Sequence, residues 1–84
     1  MRLVLQDGKG DMPYENFIFR VWGGDIIASR DILRNEKQIV ARYSTEAKAI
    51  KVMEMLREKY LETVYYYRTR PKVFQFPKDE EVEV

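Results

Sequence analysis

Apolar and polar residues follow two rhythms along this chain, and the rhythm changes near Tyr43. In residues 15–22 it has period two. Phe17, Phe19 and Val21 fall on one side and Ile18, Arg20 and Trp22 on the other, the signature of a β-strand. Gly23-Gly24 follows, a pair that accepts the positive φ of a type I′ turn, so a tight hairpin is predicted with Trp22 opposite Asp25. That register sets Val21 against Ile26, Phe19 against Ala28 and Phe17 against Arg30. A second turn around residues 35–37 returns the chain through 38–43, where Ile39, Ala41 and Tyr43 alternate with Val40 and Arg42. Two registers are open for this return. A two-residue turn at Asn35-Glu36 sets Ile32 against Ile39 and Arg30 against Ala41, whereas a three-residue turn or a bulge shifts the inward face by one.

Beyond Tyr43 the spacing becomes three and four. Ala49, Val52, Met53, Leu56, Tyr60 and Val64 form one stripe of a helix over residues 43–64, with Lys48, Lys51, Glu54, Glu58, Lys59 and Glu62 mainly opposite. Ser44 stands where an N-cap belongs, and Glu46 places negative charge at the positive end of the helix dipole. Ile50 and Leu61 widen the stripe, and Met55 falls off it towards solvent. Outside this unit, residues 2–6 read as a first strand and 73–77 as a last one, flanked by Pro71 and Pro77, which cannot donate to a ladder. The predicted fold is α+β: an antiparallel meander sheet of four to five strands with one long amphipathic helix packed on one face. Phe17, Phe19, Val21, Ile26, Ala28, Ile39, Ala41, Ala49, Val52, Met53, Leu56 and Tyr60 are its expected core. Residues 1–77 are expected to form one domain and 78–84 a flexible acidic tail.

Composition narrows the chemistry. An 84-residue chain buries one small core, and 45% hydrophobic residues argue against disorder. Without cysteine or histidine there are no disulfides, no thiol nucleophiles, no imidazole bases and no cysteine or histidine zinc ligands. No apolar run is long enough to span a bilayer and the start lacks a signal-peptide pattern, so a soluble, cytoplasmic protein is expected. The net charge of +1 divides into 14 basic against 10 acidic residues in 1–77 and one against four in 78–84. A body at +4 is within the ordinary range for soluble domains and does not by itself point to nucleic acid.

Two sets of residues are candidate contact surfaces. Ile18, Arg20, Trp22 and Ile27 make the outer face of the hairpin more apolar than a solvated face requires. Either Leu3, Leu5 or the last strand covers it, or a protein partner does, a second copy included. The other set is Tyr66, Arg68, Arg70 and Lys72, where aromatic faces could stack on unpaired bases and guanidinium groups meet phosphates. Basic residues there also serve as an edge-strand defence against aggregation, so nucleic-acid binding stands as the alternative. The loop Asp7-Gly8-Lys9-Gly10-Asp11 fits neither a phosphate cradle, since Pro13 leads into a strand instead of a helix, nor a calcium loop, since Met12 and Ile18 occupy the sixth and twelfth places. It reads as a solvated turn. Ser29 and Ser44 lack a histidine to activate them, and Asp7, Asp11 and Glu15 lack an apolar pocket to shift a pKa. A non-catalytic protein with no cofactor and no metal is expected.

Four segments carry a likeness. Asp11-Met12-Pro13-Tyr14-Glu15, Tyr43-Ser44-Thr45-Glu46-Ala47-Lys48-Ala49-Ile50, Met53-Glu54-Met55-Leu56-Arg57 and Phe74-Gln75-Phe76-Pro77-Lys78-Asp79-Glu80-Glu81-Val82 resemble a group of small uncharacterised proteins of Gram-positive bacteria and their prophages. The resemblance implies a phage or mobile-element setting and carries over no functional residue.

Overall fold

A computed structural model describes residues 1–30, 36–65 and 73–84. Among them run β1 (Arg2–Val4), β2 (Asp11–Pro13), β3 (Ile18–Trp22), β4 (Asp25–Ser29), β5 (Lys37–Arg42), the helix α1 (Glu46–Tyr65) and β6 (Val73–Gln75), with 3₁₀ turns at Tyr14–Asn16 and Asp79–Glu81. The class is α+β, as the two rhythms predict. The sheet arrangement is not the predicted one.

Instead of one meander of four to five strands there are two sheets of three, ordered β2-β1-β6 and β3-β4-β5. The reason lies in β1. One edge pairs antiparallel with β2 and the other pairs parallel with β6, Leu3 opposite Met12 and Phe74, so no edge remains for β3. Pro13 and the 3₁₀ turn after it then carry the chain out of the first sheet before β3 begins. Gln6, just past the end of β1, joins the sheets: its N–H donates to the Val40 carbonyl at 3.1 Å and its amide nitrogen to the Arg42 carbonyl at 3.0 Å, while its amide oxygen accepts from the Arg42 N–H at 2.7 Å.

The hairpin has the predicted register, from Trp22 opposite Asp25 to Phe19 opposite Ala28. Its turn differs. Of the two glycines only Gly23 has positive φ, at 58°, which meets the type II′ requirement and not the type I′ one. The β4–β5 pairing is not that of the two-residue turn; the other option, a bulge that shifts the inward face, is what is seen. Ser29 lies opposite Lys37 and Ile27 opposite Ile39, then a bulge lets Val40 and Ala41 both point inward before Asp25 meets Arg42. Ile39, expected in the core, is therefore 42% exposed, and Val40, expected outside, is buried.

Helix α1 lies on β3 and β4 and buries Ala49, Val52 and Leu56 against Ile26 and Ala28. Phe17, Phe19, Val21, Met53 and also Met55 are half-buried against the same cluster. Tyr60 is half-buried and its ring meets that of Tyr14 at 4.5 Å, which in turn stacks on Phe19 at 5.5 Å. The cap lies one residue later than expected. Thr45 Oγ1 accepts from the Lys48 N–H at 3.2 Å, while the Ser44 N–H and hydroxyl turn to Asp79 Oδ1, at 2.8 and 3.1 Å.

The first sheet completes the core with Leu3, Met12, Phe74 and Phe76. The segment expected to hang free is tied down as far as Val82, which is buried, because an apolar side chain follows the acidic turn and Asp79 has partners at the helix start. Among the described residues no helix is long and apolar enough to cross a membrane.

Candidate functional site

The pairing of β3, β4 and β5 fixes which side chains share the face turned away from α1. Inward rows hold Val21, Ile26 and Ala41, then Phe19 and Ala28. Outward rows therefore hold Trp22, Asp25 and Arg42, then Arg20, Ile27 and Ile39, then Ile18, Ser29 and Lys37. Trp22 is 73% exposed, Arg20 and Lys37 are exposed, and Ile18 and Ile27 are half-buried. Leu3 is consumed in the core and β6 pairs with β1, so neither lies over this face. All four residues singled out from the outer face, Ile18, Arg20, Trp22 and Ile27, are brought together here.

Asp25, Arg42, Ile39 and Lys37 belong to the same surface; Asp25 follows from its expected place opposite Trp22 and Arg42 from alternation, whereas Ile39 and Lys37 were not legible as such. Strand alternation assigned Ile39 inward, and only the bulge at Val40 reverses it. The one signal in the sequence was the adjacent pair Val40-Ala41, two apolar residues that a bulge can bury together. The face is anchored at one corner by the Arg42 Nε to Asp25 Oδ1 ion pair at 3.8 Å. Along the β5 margin it runs into a shallow cleft of about 230 Å³ between β5 and Leu5, Gln6 and Asp7, below the size of a typical small-molecule pocket.

Perturbed titrating groups lie elsewhere and have structural partners. The Ser44 backbone N–H, followed by the Ser44 hydroxyl and Lys48, holds the Asp79 carboxyl below the usual carboxylate range. The hydrogen bond from the α-amine of Met1, at 2.7 Å, does the same for Glu15. Burial pushes the Tyr43 hydroxyl well up, helped by Asp79 and Glu81, and burial with Tyr60 raises Tyr14. None of these groups lies on the open face. No group of acidic side chains among the described residues is arranged to hold a metal ion. Tyr66, Arg68, Arg70 and Lys72 lie outside the described residues.

No protein-family model, no curated protein and no solved structure matches this chain.

Proposed function

We propose that this chain is a non-catalytic binding module that docks a protein partner on the outer face of β3, β4 and β5. One observation carries the reading: Trp22, the chain's single tryptophan, stands 73% exposed on the face it shares with Ile18, Ile27 and Ile39, which no described element covers. A soluble domain gains nothing from a wet indole, whereas a partner that closes over it removes apolar area worth about 25 cal/mol per Å². Tryptophan flanked by arginine is also the composition of interface hot spots. The setting implied by the resemblance, a prophage or other mobile element, suits a small adaptor without chemistry of its own.

Affinity capture from the native host with wild type and with Trp22→Ala plus Ile39→Ser tests the reading. A partner retained by wild type is lost from the variant, while the thermal midpoint moves by only a few degrees, since exposed positions change stability by about 0.5 kcal/mol or less each. Identical captured proteins from both would remove the face from consideration. Binding of oligonucleotides that weakens steeply with salt and drops on Arg68→Ala plus Arg70→Ala would favour the alternative, a single-stranded nucleic-acid binder.

A further inference from the structure

We infer that the partner presents an acidic segment studded with apolar side chains, an inference that rests on the docking face just proposed. The outward rows hold three cations, Arg20, Lys37 and Arg42, against one carboxylate, Asp25. Asp25 is already shared with Arg42. Arg20 and Lys37 have no carboxylate within ion-pair distance among the described residues, so the face carries unbalanced positive charge on both outer strands. Between them lies the apolar middle, Ile27 and Ile39, with Ile18 and Trp22 at the two ends.

The arrangement selects its occupant. Apolar side chains must meet the isoleucines, and carboxylates must sit to either side, within reach of Arg20 across β3 and of Lys37 along β5. A second copy of this face brings the same excess of cations and is repelled. Nucleic acid supplies the negative charge but needs stacking platforms, and this face offers one ring among aliphatic side chains. An acidic, apolar protein segment satisfies both requirements.

Selection of displayed random peptides of about twelve residues on the immobilised full chain tests this, with Arg20→Glu plus Lys37→Glu and Trp22→Ser as companion baits. Both charge-reversed side chains lack ion-pair partners among the described residues, and circular dichroism with thermal melting confirms that each variant folds. Wild type enriches peptides that are acidic and apolar. A synthesised winner binds at least about tenfold more weakly to either variant, and its affinity falls as salt rises from about 50 to 300 mM.

Neutral or basic peptides that depend on Trp22 would overturn the partner's chemistry and leave the docking face standing. Peptides indifferent to Trp22→Ser, or none enriched at all, would overturn both. Self-association in sedimentation that Trp22→Ser abolishes would assign the face to a second copy, and oligonucleotide binding lost in the charge-reversed variant would assign it to nucleic acid. Either result overturns the inference.

Discussion

At Gly23 and Gly24 two adjacent glycines are needed for different reasons. Gly23 needs its φ of 58°, in open space, so Gly23→Ala costs about 1 kcal/mol of left-handed strain. Gly24 has no such φ. Its Tyr43-facing side is filled by backbone, and a Cβ there would overlap the Tyr43 carbonyl oxygen, while the Gly24 carbonyl already accepts from the Tyr43 N–H at 2.8 Å. Gly24→Ala must push two backbones apart, so it costs more, about 1–3 kcal/mol, and lowers the urea midpoint further than Gly23→Ala does. The Tyr43 hydroxyl donates to the Pro77 carbonyl at 2.7 Å. Because burial raises its pKa above the unfolded value near 10, the stabilisation is complete below that value and is lost as pH climbs past it. Tyr43→Phe forfeits about 1 kcal/mol at neutral pH, and its stability falls less steeply above about pH 10 than that of wild type. Denaturant titrations at neutral and alkaline pH measure both effects.

Elements were legible where their reasons are local. The hairpin register follows from two glycines between alternating rows, and the buried Ala49, Val52 and Leu56 of α1 from a spacing of three and four; both are seen, whereas Ile50 and Leu61, read as widening that stripe, are exposed and Met55, read as off it, is half-buried. The type of the hairpin turn was misread because glycine permits positive φ without requiring it. The start of α1 shows the limit more clearly. Ser44 and Thr45 are equally good caps by type, and the choice between them is made by Asp79, 35 residues away, which takes both hydrogens of Ser44 and leaves Thr45 to cap Lys48. Lys48 Nζ completes the clasp, at 3.0 Å from the Asp79 carbonyl and 3.5 Å from Oδ1. These contacts hold the folded-state pKa of Asp79 below its unfolded value, so their contribution is complete above the ordinary carboxylate range and fades as pH falls through the folded pKa. Asp79→Asn removes that dependence. It is less stable than wild type at pH 7 and loses less on acidification, and amide exchange at Ser44 and through the first turn of α1 is faster. An unchanged acid slope would show that the clasp contributes nothing.

On the scale of the whole molecule the sequence was least informative, because what decides the architecture is which strands claim the two edges of β1. The β1–β6 pairing joins Leu3 to Phe74 and is parallel, a contact that no local pattern encodes. Once β1 is enclosed, the two sheets meet at Gln6 as well as through the shared core. Gln6 acts towards Arg42 as a strand residue would, one acceptor to its N–H and one donor to its carbonyl, and the same amide nitrogen reaches the Pro77 carbonyl at 3.1 Å. Both signs of this contact are needed, so the two obvious substitutions should differ. Gln6→Ala frees Arg42, which is exposed and can turn to water, at a cost of about 1 kcal/mol. Gln6→Glu keeps the acceptor but sets a second oxygen against the Arg42 and Pro77 carbonyls. It should cost more than alanine at pH 7 and recover part of the difference in acid, where a protonated carboxyl can donate again. Urea denaturation of both variants at pH 7 and near pH 4 reads the order directly, and alanine proving the costlier substitution would mean that the acceptor to the Arg42 N–H carries the contact and the donated hydrogen bonds contribute nothing.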